Sequence, residues 1–438
     1  MVVLIFTLLV ELPLARPAPL PDPDRRPQNC GSTVGPPLQP PTFDLQPSTF
    51  NLQPSFPFTQ TWSTNVRVND DSGAAVQDNP TAVWHGLVGC ACWFDERLGN
   101  GDIFFAHSDD GGLTWTPNVR VNDDKGNALQ MNPSLAVNLV GDAFVVWRDD
   151  RNGQPDIYFS RSLNGGATWS PNVRVNDVAA GSQTSPALVV DSAGILYVLW
   201  VDDRNGHWDI YSSSSSDNGQ NWSAGVRVND DLGTAAQYQP TIALSRDGDT
   251  VYAAWRDERG PSADVYFARS TNGGVTWSAN VRVNDDVGLT VQERPTLAGG
   301  DDDKVYLAWT DRRNGQADIF FSLSTDGGST WGANVQVNDD GGVAAQNFPS
   351  LDVDEVGRLY LAWSDSRQGN RDIYAATSTD DGLSWSGNIK VNDDGGTAVQ
   401  DHPGLAVDSG VVHVIWADER NLNSDIYTSR AVPLLPHP

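Results

Sequence analysis

Seven segments of the form Gln-x-x-Pro recur along the chain, and the two residues between Gln and Pro differ in each: Asp78-Asn79, Met131-Asn132, Thr184-Ser185, Tyr238-Gln239, Glu293-Arg294, Asn347-Phe348 and Asp401-His402. The letters around them repeat, so function is expected where the symmetry fails. Carboxylates, a guanidinium, an imidazole and aromatic rings converging on one concave surface form the default ligand pocket. Glu293, Arg294 and Tyr238 are read as the main ligand contacts, with Arg256 and Asp78 close by and Phe348 and His402 lining the opposite side. Arg294 suits an anionic ligand. Neutral drift at exposed positions is the competing account of the same variation.

Distant segments converge in this way only on a scaffold that repeats. Val66-Arg67-Val68-Asn69-Asp70 recurs with Val119, Val173, Val226, Val281, Val335 and Ile389 leading, at steps of 53, 54, 53, 55, 54 and 54 residues. Trp-x-Asp-x-Arg begins at Trp93, Trp147, Trp200, Trp255, Trp309, Trp363 and Trp416, and Asp-Ile-Tyr or a close variant starts at Asp102, Asp156, Asp209, Asp264, Asp318, Asp372 and Asp425. Three markers in step define a structural repeat. In the third copy Ala187 to Val190, Ile195 to Trp200, Asp209 to Ser213 and Trp222 to Val228 are apolar runs bounded by Gly, Asp or Asn, which predicts four short strands per unit and hence a propeller blade. The first unit begins at Trp62 with only an outer strand, and the last stops after Asp425-Ile426-Tyr427. An all-β, seven-bladed β-propeller of four-stranded antiparallel blades is therefore predicted, its last blade taking three strands from the C-terminus and one from the N-terminus so that no sheet edge stays open.

Composition agrees with this reading. Fifty Asp stand against six Glu, with 41 Gly, 27 Pro and three Lys, a mixture that favours turns over helices. A formal charge of −28 argues against nucleic acid as a partner. Cys30, Cys90 and Cys92 are too few for a disulfide framework or a four-ligand zinc site, and Cys90 and Cys92 read as small core side chains. Residues 1–18, with the apolar run Val2 to Val10, read as a signal peptide. Residues 19–58 read as a Pro-rich disordered tether, residues 59–430 as the propeller and residues 431–438 as a tail. No other segment has the length and apolarity of a membrane helix. The expected location is secreted, extracellular or cell-surface.

Six units carry a hairpin of the form Ser-x-Asp-x-Gly-x-Thr-Trp between the third and fourth strands, centred on Asp110, Asn164, Asp217, Asn272, Asp326 and Asp380. In these hairpins the chain resembles the Asp-box, or bacterial neuraminidase repeat, proteins of the sialidase superfamily, over roughly residues 59–430. The resemblance implies a propeller whose boxes lie on the face away from the active site. A sialidase-like enzyme would need an arginine cluster for the substrate carboxylate, a Tyr nucleophile paired with a Glu, and an Asp acid/base. Tyr238, Glu293 and Asp401 are the catalytic candidates that this implies, with Arg294, Arg256 and Asp78 beside them. Where that superfamily has an Arg-Ile-Pro type motif, this chain has Asp78-Asn79-Pro80, and only Glu293-Arg294-Pro295 sets an Arg beside that Pro.

Residues present in every blade are best explained by folding. Asp95 with Arg97, and each equivalent through Asp418 with Arg420, read as ion pairs or turn clamps, with a ring of anion-binding arginines as the alternative. The Asn-Asp-Asp-x-Gly turns, such as Asn122 to Gly126 and Asn392 to Gly396, read as self-sufficient turns or as structural Ca²⁺ sites; no cofactor is otherwise required. Three functions follow in order: glycan or polysaccharide binding in the central depression, a sialidase-like exo-glycosidase or other polysaccharide-cleaving enzyme, and an extracellular scaffold. Oligomeric state is not encoded legibly.

Overall fold

The computed structural model of the protein describes residues 61–431 apart from residues 179 and 343. The leader, the whole tether, residues 59 and 60 of the predicted propeller, Cys30 and the tail beyond Ala431 lie outside the described residues. Each repeat folds as one blade. In the first, β2 (Gln77–His85), β3 (Val88–Asp95), β4 (Asp102–Ser108) and β5 (Val119–Arg120) run antiparallel from axis to rim. Five further units repeat that order. The seventh sheet is β26 (Gln400–Asp408), β27 (Val411–Asp418) and β28 (Asp425–Ala431), closed on its outer side by β1 (Val66–Arg67) from the other end of the propeller. Val66 pairs with Thr428 and Arg67 with Tyr427. The predicted seven-bladed ring and its closure by the N-terminal strand are thus what the chain forms. Among the described residues no helix is long and apolar enough to cross a membrane.

The outer strands are shorter than the run Trp222 to Val228 predicted, with only Val226–Arg227 pairing in the third blade. A side chain ends the ladder. Val228 N–H still donates to the Ile210 carbonyl at 2.8 Å, but Ile210 N–H turns to Asn229 Oδ1 at 2.9 Å. The Asn229 amide then donates to Asp209 at 2.8 Å and to Gln237 at 3.0 Å. This buried network explains why the Asn, the Gln of Gln-x-x-Pro and the Asp of Asp-Ile-Tyr recur together.

The core lies in the seams between blades, where each second-strand Trp, from Trp93 to Trp416, is fully buried. Trp200 Nε1–H donates to Asp202 at 2.8 Å. Arg204 holds the same carboxylate at 2.6 Å, reaches Asp177 of the preceding blade at 2.9 Å and lies 4.1 Å from the centre of the Tyr211 ring. The pattern recurs at Arg97, Arg151, Arg259, Arg313, Arg367 and Arg420. Trp-x-Asp-x-Arg is therefore a clamp across the seam, and its arginines are already occupied. In the Asn-Asp-Asp-x-Gly turns the first Asp takes that arginine, and the second accepts the glycine N–H, as Asp124 does from Gly126 at 3.2 Å. Among the described residues no group of three or more His, Cys, Asp or Glu is arranged to hold a metal ion.

The hairpins between third and fourth strands close on themselves. Asp110 Oδ1 accepts the N–H groups of Leu113 and Thr114, both at 2.9 Å, and Oδ2 accepts the Thr114 hydroxyl at 2.6 Å. The Thr114 bonds hold the Asp110 carboxyl down at about 2. The Trp of each such hairpin packs across the seam: Trp169 meets Phe105 of the blade before edge to face, 5.1 Å between ring centres, and Trp222, Trp331 and Trp385 repeat this with Phe159, Phe267 and Phe321. Cys90 and Cys92 are buried free thiols, and burial raises the Cys90 thiol to about 12.

Candidate functional site

Every innermost strand carries the same defect at its start. Asp78 pairs with Phe94 and Thr81 with Cys92, so Asn79 and Pro80 together face one residue of the partner strand, a β-bulge. Equivalent shifts occur in all the other blades. The proline has no N–H for the ladder, which makes the interruption cheap. The residue before it takes a left-handed backbone: φ is 50° at Asn79, 53° at Asn132, 52° at Ser185, 55° at Gln239, 55° at Arg294, 54° at Phe348 and 51° at His402. That conformation costs a non-glycine residue on the order of 1–3 kcal/mol. Glycine would relieve it and stands at none of the seven positions. Because the strain recurs in every blade it belongs to the bulge, and what differs from blade to blade is the side chain that the bulge presents.

The strain turns these side chains to the axis. They and their prolines line a depression of 380 Å³ on the face opposite the hairpins. The two members of each variable pair therefore diverge, a feature the sequence reading missed. Its only trace in sequence is the proline that follows the inward residue.

One sector of the ring is chemically distinct. The Arg294 guanidinium lies 3.7 Å from the centre of the Phe348 ring, and the edge of His402 meets Phe348 at 4.2 Å. His402 Nδ1 is 3.0 Å from Asp78. Burial pushes the Asp78 carboxyl up, but His402, the Asn79 N–H and Arg371 together hold it below its usual value. Gln239 accepts the Arg294 backbone N–H at 2.8 Å. Phe348 and His402 thus stand on the blades that follow Arg294, beside it rather than opposite.

The first members of the pairs go elsewhere. Glu293 is buried and clasped by Arg256 of the preceding blade at 3.1 Å and by Arg312 at 3.0 Å. Asp401 is ion-paired with Arg371. Tyr238 faces Trp208 at 6.4 Å and Arg256 at 6.0 Å, and burial with the neighbouring Glu258 raises its phenol. Among the described residues no hydrogen bond joins Tyr238 to Glu293. The structure brings Arg294, Phe348 and His402 together in the lining of the depression, with Asp78 behind His402; Asp78, Tyr238, Glu293, Arg256 and Asp401 do not line it.

Arg294 differs from every other arginine among the described residues. All the rest reach a carboxylate or a backbone carbonyl. The Arg294 guanidinium has no such acceptor, and its Nε is buried without a partner. Burial lowers its pKa against the pull of Glu293 and Asp401, yet an arginine stays charged. A partly desolvated cation open to a concave surface has the chemistry to receive an anion.

At the far end of the axis an apolar channel of 430 Å³, walled by residues such as Leu135, Leu188, Ile242 and Leu297, contains Asp352 and Arg246. Asp352 accepts the N–H groups of Val353 and Val407, both at 2.8 Å. Its residual exposed area opens into that channel. Burial raises its carboxyl from 3.8 to about 6, overriding those two bonds, with Asp354 adding to the rise. The folded state thus holds the proton more tightly, so this contribution to stability is complete below pH 4 and is lost as pH climbs through 6. The difference in unfolding free energy between the wild type and Asp352→Asn is expected to change by up to about 3 kcal/mol over that window. Urea titrations at pH 4 and pH 7 check this; a constant difference would refute it.

No family model matches the chain, and no curated protein matches it. Solved structures do share the fold. A protein of unknown function from Dyadobacter fermentans is 14% identical with a TM-score of 0.54, covering 85% of this chain and 99% of its own. A GH93 alpha-L-arabinofuranosidase of Fusarium graminearum, solved with arabinobiose, is 16% identical with a TM-score of 0.52, covering 85% and 98%. A Hadza microbial sialidase is 19% identical with a TM-score of 0.50, covering 80% and 74%.

Proposed function

We propose that the protein binds a carboxylate-bearing glycan in the Gln-x-x-Pro depression, with Arg294 receiving the carboxylate. The observation that carries this reading is the unpaired guanidinium of Arg294 in a chain whose other described arginines are all engaged. Phe348, stacked against Arg294 and exposed to the depression, offers a sugar an apolar face. The amides and hydroxyl of Asn79, Asn132, Ser185 and Gln239 offer hydrogen bonds to its hydroxyl groups. Glycosidases among the fold neighbours support a carbohydrate ligand, and the leader-like segment supports work outside the cell.

Saturation-transfer NMR with paired acidic and carboxyl-reduced oligosaccharides tests this. Transfer is expected to the acidic member only. Arg294→Ala is expected to weaken binding about 10- to 100-fold, the worth of a charge-assisted contact of 1.5–3 kcal/mol, and Arg294→Lys to restore part of it. Equal transfer to both members, or unchanged affinity in Arg294→Ala, would remove the carboxylate from the account.

A further inference from the structure

We infer that the depression is a site of β-elimination on a 4-linked hexuronate, with His402 as the base. This rests on the carboxylate reading above and extends it from binding to chemistry. Two groups in the distinct sector keep a function that no carboxylate occupies, and they are the Arg294 guanidinium and His402 Nε2. The carboxylates that hydrolysis would draw on are engaged: Glu293 by Arg256 and Arg312, Asp401 by Arg371, and Asp78 by His402. Glycoside hydrolysis in its usual form needs two carboxyl groups flanking the bond. Elimination needs neither; it needs the sugar carboxylate neutralised and the hydrogen on the adjacent carbon removed.

The geometry meets both needs at once. His402 Nδ1 faces Asp78 at 3.0 Å, an arrangement that in the neutral imidazole places the ring proton on Nδ1 and the lone pair on Nε2. Asp78 is thus a positioning residue. Phe348 holds the imidazole by its edge at 4.2 Å and the Arg294 guanidinium over its face at 3.7 Å, so one aromatic ring fixes the spacing of base and cation. In a hexuronate, C5 carries both the carboxylate and the acidic hydrogen, and a receptor for the first delivers the second to a neighbouring base. Charge that builds on the carboxylate as the proton leaves is met by Arg294. The C5 proton passes to His402 Nε2, the C5–H electron pair forms the C4=C5 double bond, and the C4–O bond breaks. The departing alkoxide takes the proton back from the imidazolium, so no water or other reactant is consumed.

The test incubates the full chain with 4-linked polyuronates of galacto, gluco and manno configuration in ¹⁸O-labelled water, following ultraviolet absorbance and product mass. Elimination yields a conjugated unsaturated product that is lighter by one water than the corresponding product of hydrolysis. His402→Ala and His402→Gln are expected to lose about 100-fold or more in kcat, with binding of the polyuronate still measurable through Arg294. Asp78→Asn is expected to lower kcat with KM unchanged and to move the acidic limb of the pH–rate profile. Binding without unsaturated product overturns the elimination and leaves the receptor standing. Saturated products heavier by one water, without ultraviolet absorbance, assign hydrolysis instead, and full activity in both His402 variants removes His402 as base. Absence of binding to every polyuronate overturns the inference at its foundation, because the substrate class is then wrong.

Discussion

A chain lacking residues 61–70 is expected to lose most of its stability and to associate through an open sheet edge. The two-residue strand Val66–Arg67 looks dispensable, but its surroundings show otherwise. Val68 is buried against Trp93, Ile415 and Ile426, which contributes about 1.5–3 kcal/mol. Asn69 donates to Asp425 at 2.8 Å, and Arg67 pairs with the same buried carboxylate at 2.9 Å. Stranding Asp425 costs about 3–5 kcal/mol more. Asn65 links Arg420 and Asp393 across the closing seam. The sum approaches the whole stability of an ordinary domain, and the bared Asp425–Ala431 strand is a template for intermolecular pairing. Thermal unfolding followed by light scattering checks this. A midpoint within a degree or two of wild type would show that the ring does not depend on its N-terminal strand.

The same residues mark how far the sequence could be read. Blade number, strand order and closure were legible because every blade needs the same buried contacts, so Trp, Asp, Asn, Gln and Arg recur in step. Repetition made folding visible and left function to the positions that vary. Those positions were found as pairs, yet the side chains of a pair part company at a bulge. A bulge is a backbone event that Asn79 and Arg294 do not announce. Tyr238, Glu293 and Arg256 were therefore grouped with Arg294 by proximity in sequence, whereas the left-handed turn sends Arg294 inward and leaves Glu293 between two arginines. Phe348 and His402 were placed across the ring because sequence gives blade number but no direction of approach. Comparing arginines by partner, which only coordinates permit, singles out Arg294.

That comparison yields a contrast in stability as large as any at a single site. Asp202→Ala is expected to destabilise the ring by about 3–5 kcal/mol, the cost of breaking a buried ion pair from one side. Asp202 is fully buried and accepts from Trp200 Nε1–H at 2.8 Å, Arg204 N–H at 2.9 Å and the Arg204 guanidinium at 2.6 Å. Its loss leaves the Trp200 indole N–H without its acceptor and the Arg204 guanidinium held by Asp177 alone. Trp200→Phe, which removes the indole N–H along with ring volume, should cost less if the carboxylate–guanidinium pair is the larger part of the clamp. Arg294→Ala should move the unfolding midpoint hardly at all, since no carboxylate in the fold depends on it and a partly desolvated charge is relieved. Denaturant titrations of these variants, run beside the binding assay, separate the two classes: a clamp arginine such as Arg204 loses stability when truncated, and Arg294 loses ligand. If Arg294→Ala unfolded as readily as Asp202→Ala, the guanidinium would be a structural member of the ring and its missing acceptor would need another explanation.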